Sequence, residues 1–265
     1  MKLTPVNAMP VTSFIGIDLA WNTNGNHSGI AVMQGDIHRV ALTALASNIT
    51  SMQGVAQFTA DHSPHDAVVA VDASLVVVNE TGQRPCETQI GRTFGRYHAS
   101  CHTTNQNRPY WDTGANLIKA LAEHGFVHNF DMAAAGRRGG RWLFEIYPHP
   151  AMVRLFGLTT IIPYKKGTVV RKRAGLQTLR AHLKRLASGS AGLAATPSLE
   201  QLLDEDLERL RGAALKRYED TLDAVFCAYL AWYCWRWGIE RNEVFGTLAQ
   251  GYIVVPKAAN VSGAG

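Results

Sequence analysis

Five acids stand where a carboxylate is out of place unless something uses it. Asp18 lies in FIGIDLAW, Asp72 in DAVVAVDAS and Glu145 in RWLFEIYPHP, each near the end of an apolar run. Asp220 and Asp223 lie in YEDTLDAVFCAYLAW, three residues apart, so on a helix both face one side. That side continues through Cys227, Leu230 and Cys234, which points Asp223 along a buried stripe. Buried acids need partners, and no single Lys or Arg is an obvious one for all five. Two carboxylates about 4 Å apart repel by roughly 4 kcal/mol at an effective dielectric near 20. Protons or metal ions relieve such repulsion. Hard oxygen ligands with open positions suit Mg²⁺ or Mn²⁺, and a pair of such ions is a standard means of hydrolysing phosphodiesters. Any one of these acids is equally well explained as a loop or helix cap. Glu145 could pair with a basic loop residue, and Asp220 could sit in solvent. Joint occurrence raises the set above separate caps: a strand Asp, a hairpin, a second strand Asp and a late helix with DxxDA follow in one order.

Positioning these acids requires a sheet and a helix. Ser13 to Ala20 reads as a strand with Ile15, Ile17 and Leu19 on one face and Gly16 and Asp18 on the other. NTNGNHSG is a turn cluster, and GIAVMQGDIHRVAL reads as two strands about a Gln-Gly-Asp turn, giving a three-strand meander. Ser51 to His62 reads as a helix, and the apolar run ending at Asp72 as a strand buried on both faces. Residues 73–110 form a long Gly-, Pro- and Asn-rich excursion with one helix near Glu87–Tyr97. Asn116 to His124 is helical. A basic loop, GRRGGR, then leads into a strand that ends near Glu145–Tyr147, where Pro148 stops it. Met152 to Phe156 is a short helix closed by Gly157, and Ser198 is a good N-cap for the next helix. Ala214–Trp237 is a helix apolar all round after Leu222, and GYIVVP is a final strand.

Several of these segments resemble a known family. GIDLAW followed by SGIAVM resembles the first hairpin of ribonuclease H-like domains, and DTLDAVFCAYLAW resembles the helix carrying the last acids of Holliday-junction resolvases. Together GIDLAW, AVDAS, EIYPHPAMVRLFG, YKKG, DTLDAVFCAY and GYIVVP resemble the domain of unknown function 429 family, predicted RNase H-like nucleases. EIYPHPA…LFG…YKK is the most specific part; GIDLA alone is shared with actin-like ATPases. The resemblance implies an α/β fold with a ribonuclease H-like mixed sheet, an antiparallel three-strand meander plus parallel strands, flanked by helices. It implies a single domain over residues 13–256 with insertions at about 73–110 and 157–213, between flexible tails at 1–12 and 257–265. It further implies a divalent-metal site, Mg²⁺ or Mn²⁺, in which Asp18, Asp72 and Asp223 are the ligands. Asp220 or Glu145 then completes the shell or orients the attacking water.

The remaining features bear on partners and compartment. The formal net charge is +5, which permits a nucleic-acid or phosphate partner without requiring one. YKKGTVVRKRAGLQTLRAHLKR carries eight Lys or Arg and no acid, with a helix over its second half. Lys165, Lys166, Arg171, Lys172 and Arg173 are its candidate phosphate contacts, against the default of a solvated helix face. Arg84 is placed to reach a phosphate or to decorate a surface loop, and His149 to act as a base beside Glu145 or to pack in a Pro-rich corner. Trp232, Trp235 and Trp237 read as core and rim rather than as base-stacking platforms. Cys86, Cys101, Cys227 and Cys234 lack zinc spacing and read as free thiols of a reducing cytoplasm. The most apolar run, AVFCAYLAWYCW, is too short for a bilayer span, and no signal peptide is expected. Three function classes follow: a metal-dependent nuclease, a non-catalytic nucleic-acid-binding scaffold, and an actin-like ATPase or kinase. The last needs a second phosphate-binding glycine hairpin, which the sequence does not contain.

Overall fold

The run around Asp18 becomes strand β1 (Thr12–Asp18), buried along its length until the acid is reached. The computed structural model describes residues 11–22, 26–130 and 139–258. Most of the two expected tails, part of the NTNGNHSG turn cluster and Arg137 and Arg138 of GRRGGR therefore lie outside the described residues. β2 (Ser28–Gly35) pairs antiparallel with β1, and β3 (Val40–Ile49) antiparallel with β2, which is the expected meander. β4 (Ala67–Asp72) lies on the other side of β1 and parallel to it. β6 (Arg141–Glu145) follows in parallel beyond β4, with the two-residue β5 (Val127–His128) at the edge. The result is a mixed six-stranded sheet of order β3-β2-β1-β4-β6-β5, flanked by helices and consistent with a ribonuclease H-like fold.

Register decides which acids can meet. Asp18 pairs with Asp72 across β1 and β4, so both side chains leave the same face at the same level. Glu145 pairs with Val71, one residue short, and so shares the opposite face. The first face holds Phe14, Ala70, Phe144 and Ile146 in one core with the late helix; the second holds Ile15, Ile17, Val71 and Leu143 in another. The second core is closed by α1 (Met52–Asp61), capped by Ser51, and α3 (Thr113–Ala122).

α7 (Gly212–Arg241) lies across the first face. It is buried almost continuously from Tyr218 to Trp232, and its helical path breaks at Gly238. Two glycines let it approach. A Cβ on Gly16 would overlap the Ala224 carbonyl, and one on Gly29 would overlap the Asp220 carbonyl. Since Gly29 pairs with Asp18, these contacts bring Asp220 and Asp223 down over the end of β1. Behind α7 pack α4 (Pro148–Phe156), α5 (Val169–Ser188) and α6 (Pro197–Leu203).

Three local expectations need correction. Pro148 both ends β6 and opens α4, where its missing N–H costs nothing; Gly157 closes that helix in the left-handed region as expected. α5 fills most of the basic segment, starting from a Thr168 cap. α6 is capped by Thr196 and not Ser198, because Pro197 takes the first helical position. GYIVVP forms the expected strand, β8 (Gly251–Pro256), which pairs with β7 (Asn242–Thr247) in a separate two-stranded sheet. That hairpin packs on α2 (Pro85–Phe94), the helix of the 73–110 excursion.

Candidate active site

The parallel pair β1 and β4 delivers Asp18 and Asp72 side by side, one strand spacing apart (about 4.8 Å). Asp223 descends on them from α7 and is fully buried. Its Oδ1 accepts a hydrogen bond from the Tyr164 hydroxyl at 2.6 Å. Its Oδ2 has no aligned hydrogen-bond donor and lies 2.9 Å from Lys165 Nζ, which makes the contact an ion pair. The same ammonium is 3.6 Å from Asp72 Oδ2. Lys165, expected on a phosphate-binding face, is thus the shared partner that the sequence did not reveal. Burial opposes its charge, but Asp223, Tyr164, Asp72 and Asp18 outweigh that and hold it protonated.

One ammonium does not balance three carboxylates. Burial, with Asp223, Asp72 and Asp220 against Lys165, holds the Asp18 carboxyl well above the usual range. Burial likewise pushes Asp72 up to about 6, with Lys165 pulling down and Asp223 pushing up. Asp220 stands at the margin of the cluster, where its Oδ1 takes the Lys216 ammonium. His149 faces this group: burial, then the Lys165 charge, lower its pKa to about 4, and its ring centroid lies 5.6 Å from that of Tyr164. Its Nδ1 is buried without a hydrogen-bond partner among the described residues.

Glu145 is used differently. Its Oε1 accepts from Arg84 Nη2 at 2.6 Å, and its Oε2 accepts from Arg84 Nη1 and the Leu75 amide, both at 2.9 Å. Arg84 is itself buried and also donates to Glu87 Oε1 at 2.8 Å and the Val76 carbonyl at 3.2 Å. Glu87 Oε2 in turn accepts from the amides of Arg84 and Thr104. The Arg84 guanidinium is committed to tying the 73–110 excursion to the end of β6. After burial, Lys165, Asp223, His102 and Lys166 are the charges that act most strongly on His149, while Glu145 is taken up by Arg84.

Above the acids opens a cavity of about 1100 Å³. Lys166, Arg171, Lys216 and Arg217 are among its lining residues, and Trp21, 47% exposed, lines it too. The expected basic face therefore divides. Lys166 and Arg171 line the cavity and make no ion pair among the described residues. Arg173 is bound to Glu208 at 2.5 Å and to the Glu208 and Leu210 carbonyls, and Lys172 lies 3.9 Å from Glu219. Arg141, the last residue of GRRGGR, donates to the Ser63 and His124 carbonyls. Lys216 and Arg217 went unnoticed in the sequence, although Lys216 stands one helical turn before Asp220. Trp232 is core, its Nε1 donating to the Asp36 carbonyl at 2.7 Å, and Trp237 stacks with Arg241. All four cysteines are free thiols. No helix among the described residues is long and apolar enough to cross a membrane.

The donor set suits a hard divalent cation: several Asp oxygens, one of them buried without a directed donor, and two acids held above their ordinary range by burial and by neighbouring carboxylates, against the pull of Lys165. The acids are nevertheless grouped around an ammonium. Among the described residues no three His, Cys, Asp or Glu side chains are placed as a ready metal cage.

Comparison with known proteins gives one match. Residues 16–241 fit the model of a family described as Protein of unknown function (DUF429). No curated protein and no solved structure matches the chain.

Proposed function

The chain belongs to that family, and from this premise we propose that it is a divalent-metal-dependent nuclease that hydrolyses phosphodiester bonds in nucleic acid. The observation that carries the reading is the convergence of three acids at one cavity: Asp18 and Asp72 line it together with Lys166, Arg171, Lys216 and Arg217, and Asp223 is buried behind them, joined to Asp72 through Lys165. A backbone phosphate needs cations around its non-bridging oxygens and carboxylates where a metal and a water must be held. Asp18, Asp72 and Asp223 would hold Mg²⁺ or Mn²⁺, which supplies charge to the phosphoryl oxygens and lowers the pKa of water. Asp220 stands at the edge of this group, positioned by Lys216 to orient that water. Lys166, Arg171 and Arg217 receive the flanking phosphates. Glu145 and Arg84 act through the fold, holding the cavity wall.

Lys165 also supports a second reading, a nucleic-acid-binding scaffold without catalysis, since its ammonium already offsets part of the acid charge. Cleavage assays decide between the two. Single-stranded, duplex, branched and hybrid substrates are incubated with Mg²⁺, Mn²⁺ or chelator. Metal-dependent cleavage that disappears in Asp18→Asn is the expected result. Binding without cleavage of any substrate would leave the scaffold and remove the nuclease.

A further inference from the structure

The positive charge at the centre of the acid cluster belongs to the chain itself. Lys165 reaches it from the loop between α4 and α5, a segment bounded by Gly157 and Gly167, both at positive φ (63° and 104°). Its Nζ lies 2.9 Å from Asp223 Oδ2 and 3.6 Å from Asp72 Oδ2. The preceding residue, Tyr164, is buried and binds the other oxygen of Asp223 at 2.6 Å. Two consecutive residues thus occupy both oxygens of Asp223, the more deeply buried of the two acids that α7 contributes.

We propose that Lys165 is a tethered competitor for the divalent cation: it fills the acid cluster when no metal is bound and swings into the cavity when one enters. This rests on the metal-dependent reading of the site. Three clustered carboxylates in a low-dielectric setting demand a counter-charge. A lysine supplies one as a compact point charge on a flexible four-carbon stem. Lys165 itself lines the cavity, and its side chain is 29% accessible. Tyr164, by contrast, is locked in the core and keeps Asp223 oriented whichever cation is present. The arrangement also explains why the acids surround an ammonium instead of forming a ready cage. A displaced Lys165 would hang in the same cavity as Lys166 and Arg171, where an incoming phosphate gives it a new anion. Metal and phosphate would then each favour the binding of the other, as linkage requires.

The test is a calorimetric titration of Mn²⁺ into the full chain, without nucleic acid, for wild type, Lys165→Met and Lys165→Arg. Lys165→Met keeps the apolar stem and removes the charge; it should bind Mn²⁺ at least tenfold more tightly than wild type. Lys165→Arg should bind no more tightly than wild type. Equal or weaker binding by Lys165→Met overturns the proposal. Should that variant fail to fold, Lys165→Gln serves in its place, with the same two outcomes. Tighter Mn²⁺ binding by Lys165→Met in a chain that cleaves nothing keeps the competition and removes the nuclease. Metal-dependent cleavage by wild type with unchanged Mn²⁺ affinity in Lys165→Met does the reverse. Absence of Mn²⁺ binding in all three proteins removes both.

Discussion

Asp72→Asn probes whether the acids share one electrostatic environment, because it changes the charge of the cluster with almost no change of shape. Burial, opposed by Lys165 and reinforced by Asp223, pushes the Asp72 carboxyl up to about 6, roughly two pH units above an ordinary aspartate. A group whose pKa is raised by folding holds its proton more tightly in the native state. The stability it contributes is therefore complete below about pH 4 and is lost as the pH rises to about 6. Two units correspond to a cost of about 3 kcal/mol at neutral pH, and the neutral amide of Asn escapes it. That figure already contains the opposing pull of Lys165, 3.6 Å away. Urea unfolding in chelator at pH 8 should accordingly show Asp72→Asn more stable than wild type by about 1–3 kcal/mol. For a chain of this size that is several degrees of melting temperature, at roughly 2–4 °C per kcal/mol. The difference should shrink steadily between pH 6 and pH 4, and Mn²⁺ should stabilise the variant less than wild type. A variant less stable at pH 8 in chelator, with an unaltered metal shift, would refute the shared cluster at this position.

Five further substitutions, in three experiments, address other parts of the site. Asp18→Asn should retain a cooperative melt and lose metal-dependent cleavage; unchanged turnover in a folded variant would contradict its place in the reaction. Arg84→Met strands the buried carboxylates of Glu145 and Glu87, and should destabilise by about 3–5 kcal/mol in urea unfolding; a loss below about 1 kcal/mol would show that the network is not structural. Lys166→Ala with Arg171→Ala should weaken nucleic-acid binding across sequences and lower the salt slope of log K by roughly 0.7–0.9 per contact. Arg173→Ala, whose guanidinium is held by Glu208, should leave that slope unchanged; equal effects of all three would restore the whole run as one binding face.

What the sequence made legible was whatever burial writes into periodicity. β1, β4 and α7 were readable because each must be apolar where it crosses the core, and their acids stood out against that background. The separation of Glu145 from Asp18 and Asp72 was not readable. It turns on a register of one residue between β4 and β6, which flips a side chain to the other face without changing any composition. β7 escaped notice because its strand is short, with Glu243 and Val244 both exposed, and so carries no pattern. Lys165 escaped for a different reason. A loop residue takes its partner from tertiary structure, and a lysine in a run of cations reads as surface until the loop is seen to turn inward.

The contact of α7 with Gly16 and Gly29 also has a consequence in time. Asp18 is synthesised well before Asp223, and the helix that joins them also covers one face of the sheet. A nascent chain that has completed β1 to β6 holds Asp18 and Asp72 side by side with no α7 above them. Until the last long helix is released and docks, that sheet face is an uncovered apolar surface and there is no assembled site. Synthesis itself thereby delays the cluster: a product that stops before α7 cannot bring Asp223 to Asp18 and Asp72.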